Sequence, residues 1–93
     1  SDLSGNKNRP ALILIDSDYD VTVCFITTQL KWQSAFDILI NPDEFNGLKK
    51  PSLIKLNKLA TVNKELIIGL LGQLHNQHLT LLNENLLNIF KLK

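Results

Sequence analysis

Apolar residues in this chain come in short runs separated by polar turns, and only near the C-terminus does their spacing stretch to that of a helix. After a polar opening over residues 1–9, with Gly5 and Asn6 as turn formers, Pro10–Ile15 is apolar at every position. That pattern predicts a strand buried on both faces. Asp16-Ser17-Asp18-Tyr19-Asp20 reads as a turn, and Val21–Thr27, rich in β-branched residues, as the second arm of a hairpin. Thr28–Ala35 is expected to be a loop, and Phe36–Ile40 a third, short strand. Asn41–Gly47 has room for one helical turn, opened by Pro42 and closed by Gly47. Ser52–Lys58 resumes as a strand, and Thr61–Leu66 is a connector with a helical turn around Asn63-Lys64-Glu65. Ile67–Leu74, interrupted by Gly69 and Gly72, predicts a bent strand in which glycine marks a bulge or a close backbone approach.

The final segment changes period. Asn76 is a plausible N-cap for a helix running to about Phe90, with Leu79, Leu82, Leu86 and Phe90 on one stripe. Leu81, Leu87 and Ile89 widen the apolar surface beyond it, which suggests burial against a second copy as well as the chain's own sheet. The expected class is mainly β with α (α+β), an antiparallel unit closed by a C-terminal helix.

Composition narrows this only slightly. Ninety-three residues make one domain with a small core, for which a partner subunit would help. Hydrophobic content of 44% and charged content of 20% carry no disorder signature. The single Cys24 has no partner for an internal disulfide and lies in an apolar strand, so it is expected in the core and a reducing cytoplasm fits. No apolar stretch approaches the ~18–20 residues that span a bilayer, and no signal peptide is visible. The net charge of +1 is unevenly spread, −4 over residues 1–48 and +5 over 49–93, which permits an anionic partner. The chain contains no methionine, so a removed or omitted upstream segment is expected.

Candidate chemistry begins with Arg9, the only arginine among ten basic side chains. It stands at the mouth of the first predicted strand, on a backbone stiffened by Pro10. Its planar fork of donors suits phosphate and stays charged at any working pH. Thr27 closes the second predicted strand, so a phosphate-handling site at neighbouring strand ends is suggested. His75 and His78 lie three apart, but no Asp, Glu or Cys stands close in sequence to complete a metal site, so surface helix positions are the better reading. No metal and no cofactor is called for.

The order of segments resembles the PemK/MazF family of toxin endoribonucleases from bacterial toxin–antitoxin pairs. Asp2–Lys7 with Arg9-Pro10-Ala11-Leu12 is similar to the family's loop and "RPA" strand entry, and Phe25-Ile26-Thr27-Thr28-Gln29 to its "IT-x-Q" segment. Gly47–Ser52, Lys58–Lys64 and Ile68–Leu74 match later landmarks in order. The resemblance implies an SH3-like, barrel-type antiparallel sheet of the CcdB/PemK kind with a C-terminal helix. It also implies a homodimer, cleavage of single-stranded RNA by 2′-hydroxyl attack on phosphate, neutralisation by an antitoxin, and DNA binding together with that antitoxin. It makes Arg9 and Thr27 the catalytic candidates, with Arg9 a reluctant proton donor because a guanidinium holds its proton tightly. Lys7, Asn8, Thr28, Gln29 and Trp32 become candidates for RNA binding.

Within this reading Trp32 and Tyr19 are possible stacking platforms for unpaired bases. For Trp32 partial burial under the 41–51 loop is the favoured alternative. Lys49, Lys50, Lys55 and Lys58 either steer RNA or solubilise the outer face of the sheet, the second being favoured for each. The sequence departs from the family in two places. The usual opening strand, of the type "GD(I/V)VLV-x-FPFT", has no counterpart here, so unpaired strand edges or completion by another copy are expected. Leu59-Ala60-Thr61 stands where many relatives carry an arginine before the threonine. Competing readings are a CcdB-like gyrase-binding toxin, disfavoured by the ending Phe90-Lys91-Leu92-Lys93, and a degenerate member that only dimerises or binds antitoxin.

Overall fold

The computed structural model describes residues 8–91; Lys7, the rest of the 1–7 segment and Leu92-Lys93 lie outside the described residues. Four strands, β1 (Ala11–Asp16), β2 (Asp20–Thr27), β3 (Ile38–Ile40) and β4 (Ser52–Asn63), form one antiparallel sheet in the order β1-β2-β4-β3. Helix α1 (Asn76–Phe90) follows, and single 3-10 turns occupy Leu30–Trp32 and Lys64–Leu66. The predicted class therefore holds: a curled half-barrel sheet with one C-terminal helix, mainly β with α.

Two irregularities bend the sheet. Cys24 pairs with Leu59 but Phe25 with Lys55, so β4 carries the extra residues Leu56–Lys58 against consecutive residues of β2. An insertion of this kind turns the strand and increases its twist. The first part of β4 consequently pairs with both β2 and β3, and the second with β2 alone. A smaller irregularity falls at Leu14 in β1.

The face of the sheet toward α1 carries a buried cluster. Cys24, Ile38, Ile40, Ile54, Leu56 and Leu82 form its buried centre, with Leu12, Leu14, Ile26, Leu48, Leu74, Leu86 and Ile89 packed around them. In α1 the inward positions are His78, Leu82, Asn85, Leu86 and Ile89. The expected stripe was therefore wrong at both ends, since Leu79 and Phe90 are exposed. So many positions of this helix are apolar that hydrophobic spacing alone could not choose the inward face. The cap is also one residue earlier than expected, because the His75 Nδ1 accepts from Gln77 N at 3.1 Å.

Two further expectations are corrected. The β1 strand is not buried on both faces: it is an edge whose residues alternate, with Leu12 and Leu14 half-buried and Ile13 and Ile15 exposed. The 67–74 segment is not a strand, and forms no ladder with the sheet. Its glycine signal was nevertheless informative. Gln73 N donates to Phe45 O at 2.8 Å, and a Cβ on Gly72 would collide with that same carbonyl. Gly47 takes a left-handed φ of 69°, as the predicted turn terminator should.

Candidate active site

The β1–β2 ladder pairs Ala11 with Phe25, and Ile26 N donates to Pro10 O at 3.3 Å one step beyond it. Proline has no N–H to return the second bond, so the ladder ends there in a one-way link. Arg9 lies one residue before that link and Thr27 one residue after it, so both fall at the same end of the hairpin. Directly opposed residues point to one face of a sheet. Since Leu12 and Cys24 face α1, Ala11, Phe25 and Thr27 belong to the other face. Across β4 that row continues as Leu53 opposite Thr27 and Lys55 opposite Phe25. Two residues 18 apart in sequence are thus brought to one end of the hairpin.

Thr27 is half-buried and its Oγ1 accepts from Gln29 N at 3.1 Å. That bond uses a lone pair and fixes the oxygen while leaving the hydroxyl proton to donate. Arg9 and Asn8 are exposed, as are Thr28 and Gln29 in the turn that follows. Charge-assisted donation from a guanidinium and a hydroxyl to one group is the chemistry such a pair offers a phosphate.

The loop after Thr27 and the strand that ties it down show two departures from expectation. Trp32 is 66% exposed, not buried under the 41–51 loop, and the Lys31 ammonium sits 5.4 Å from its ring centre. Lys55 is not a solubilising side chain of an outer face but is itself buried. Its Nζ donates to Trp32 O (2.9 Å), Ser34 Oγ (3.0 Å) and Asp37 Oδ2 (2.5 Å), satisfying all three ammonium protons. The Asp37 side chain is fully buried, and its Oδ2 also accepts from Ser34 N at 2.7 Å. Sequence reasoning missed this cluster, although a lysine inside the apolar run Leu53–Leu56 was a signal that an acid must face it. Lys49, Lys50 and Lys58 are exposed, as expected.

Other candidates lie apart from Arg9 and Thr27. Tyr19, 81% exposed, is at the opposite end of the hairpin, roughly 25 Å from Thr27 at ~3.3 Å per strand residue. There it lines a depression of about 340 Å³ with Asp18, Asn63, Lys64 and Glu65. His75 and His78 meet edge to face, with ring centres 6.5 Å apart, at the start of α1. Cys24 is buried in the core, and desolvation pushes its thiol from 9.0 up to about 11, despite a smaller opposing backbone hydrogen bond. It is held as an inert thiol.

Comparison with known proteins bears on the fold and the family. Residues 2–90 match the family described as PemK-like, MazF-like toxin of type II toxin–antitoxin systems. The chain belongs to this family. Among solved structures, Mycobacterium tuberculosis toxin MazF-mt6 is 29% identical with a TM-score of 0.78, over 91% of this chain and 88% of that one. A second, described as an Mtb toxin, is 27% identical with a TM-score of 0.75, over 86% and 90%. None of the curated proteins matches.

Proposed function

We propose that this MazF-like toxin is a metal-independent endoribonuclease that cuts single-stranded RNA and is neutralised by a cognate antitoxin. The observation that supports the reading is the last link of the hairpin, Ile26 N to Pro10 O, which leaves Arg9 and Thr27 at the same strand end. In the reaction a ribose 2′-oxygen bonds to the adjacent phosphorus while the P–O5′ bond breaks. The products are a 2′,3′-cyclic phosphate and a 5′-hydroxyl. Negative charge gathers on the equatorial phosphate oxygens as the transition state forms, and donors fixed there lower the barrier most. Arg9 supplies two parallel N–H donors and Thr27 one O–H. Neither Arg9 nor Thr27 is itself a good general base, and a reaction run without one forgoes a contribution of ~10²–10⁴-fold, a slowness that a toxin tolerates.

Asn8, Thr28, Gln29 and Trp32 surround this pair along the chain and would hold the RNA, joined by Lys7 of the 1–7 segment. A stacked base is worth about 1–3 kcal/mol on an exposed aromatic such as Trp32. Homodimerisation is supported by the apolar surface left on Leu66, Ile68, Leu70, Leu71, Leu87 and Phe90, each more than half exposed. A cytoplasmic location suits an enzyme acting on cellular RNA. No helix among the described residues is long and apolar enough to cross a membrane.

The test is cleavage of an unstructured RNA in EDTA with the fragment ends identified. Site-selective cuts leaving cyclic phosphate, abolished by a 2′-deoxy residue at the cut, support the proposal. Cuts that need added metal, or that survive the 2′-deoxy substitution, refute it. Absence of cutting with intact antitoxin binding would favour a non-catalytic member.

A further inference from the structure

We propose that Lys55 is a positioning residue: it sets the pose of the 28–37 loop and thereby the presentation of Trp32 and Gln29 to single-stranded RNA. The inference rests on the ribonuclease reading above. That loop follows Thr27 directly, and its one regular turn, Leu30–Trp32, contains no buried residue. Hydrophobic packing therefore does little to hold it. What holds it is polar. Lys55 rises from β4, the strand paired on both sides, opposite Phe25 and two register steps from the Thr27–Leu53 pair. Every acceptor of its ammonium belongs to the loop: Trp32 O, Ser34 Oγ and Asp37 Oδ2.

The turn the cluster closes is itself tight, with Asp37 N donating to Ser34 O at 3.2 Å. A second tie comes from α1, where Asn85 Nδ2 donates to Phe36 O at 3.0 Å. Phe36 has a φ of 71°, a left-handed conformation that a bulky residue adopts only when its surroundings enforce it. With the Trp32 carbonyl fastened inward, its indole is left facing solvent beside Lys31. An aromatic ring with a cation alongside is what an unpaired base and its phosphate require. Lys55 never reaches solvent to touch RNA; it acts through the loop.

A buried ion pair stripped of one partner leaves an uncompensated charge, whereas replacing both partners by apolar residues often restores stability. Lys55→Met, Asp37→Leu and the double variant therefore separate folding from positioning. Each single variant is expected to melt well below wild type, and the double close to it. The double variant should still show KM for unstructured RNA raised by about 5–150-fold, the worth of a stacked base, with kcat little changed and cut-site selection broadened. Trp32 is the only tryptophan, so its fluorescence anisotropy reports the loop directly and should fall in the double variant.

A double variant with wild-type melting, KM, cut-site selection and anisotropy overturns the proposal. Should it not fold, Ser34→Ala, which removes one acceptor without stranding a charge, gives the decision: KM raised and anisotropy lowered in smaller measure, or both unchanged and the proposal lost. If the wild type cuts no RNA, the nuclease reading fails on its own. Quenching of Trp32 by a 2′-O-methyl RNA then decides the positioning role: weakened binding by the double variant or Ser34→Ala supports it, and unchanged or absent quenching overturns it.

Discussion

Replacing Asn46 by alanine is a demanding check on how the 41–48 loop is held. Asn46 is buried, 6% exposed, in a segment with no strand or helix to satisfy its backbone. Its Oδ1 accepts from Leu48 N (2.9 Å) and Asp43 N (3.3 Å), and its Nδ2 donates to Asn41 O (3.0 Å). Asp43 Oδ1 reciprocates, accepting from Phe45 N and Asn46 N, both at 2.8 Å. Alanine removes the three bonds of the Asn46 amide. At a net ~1 kcal/mol each, with a further contribution where a partly buried N–H is left unmatched, the loss is about 2–4 kcal/mol. For a domain of this size that lowers Tm by roughly 10–25 °C. Urea unfolding followed by circular dichroism should show the midpoint fall with m unchanged, since the native surface buried is nearly the same. Asn46→Asp keeps the acceptor but loses the donor to Asn41 O and sets a carboxylate beside Asp43, so it should not recover the loss. A cost below about 1 kcal/mol for Asn46→Ala would refute the view that this amide, rather than apolar packing, holds the loop.

Other expectations follow from single contacts. The Asp43 carboxyl is held below its ordinary 3.8, first by the Phe45 and Asn46 N–H groups and to a lesser extent by nearby His78 and His75. The folded state then binds its proton more weakly than the unfolded chain. The stabilisation is fully present above pH 3.8 and is lost as pH falls through the lower folded value, so an acid titration of stability should lose that component in Asp43→Asn. Cys24, with its thiol raised to about 11, should resist thiol reagents at neutral pH until the chain is unfolded, and fast labelling of the native protein would contradict its burial. Leu82→Ala, at the one buried leucine of α1, should cost about 2–5 kcal/mol by denaturant melting. Gly72→Ala should also destabilise, because its Cβ would meet the Phe45 carbonyl that accepts from Gln73.

Local patterns were legible where one interaction decides the structure. The hairpin could be read because β-branched runs flank a polar turn, and α1 because its apolar spacing stretches to a helical period, although its cap is His75 rather than the expected Asn76. The strand beginning at Ser52 was visible for the same reason, but its continuation to Asn63 was not. That continuation depends on the bulge opposite Cys24, a matter of pairing rather than of composition. β1 read as buried because apolar residues occupy both faces, yet Ile13 and Ile15 are exposed at the sheet edge. The leucine-rich 67–74 segment misled similarly, since apolar content does not supply a ladder partner.

At the candidate site, Arg9 and Thr27 were singled out by residue type and placed at neighbouring strand ends by the hairpin alone. Lys55 was misread because an isolated lysine is ordinarily solvated, and its acid partner Asp37 lies 18 residues away. Trp32 was misplaced because no local pattern says that its backbone, rather than its ring, is fastened inward.

The central claim is that Arg9 and Thr27 act together on a phosphate without metal. Single-turnover cleavage of one RNA in EDTA by wild type, Arg9→Ala, Arg9→Lys and Thr27→Val tests it most directly. Loss of a donor to developing phosphate charge should slow Arg9→Ala by about 10²–10³-fold, with Arg9→Lys recovering only part and Thr27→Val reduced less severely. Unchanged cleavage rates in Arg9→Ala, with the protein folded, would contradict the account.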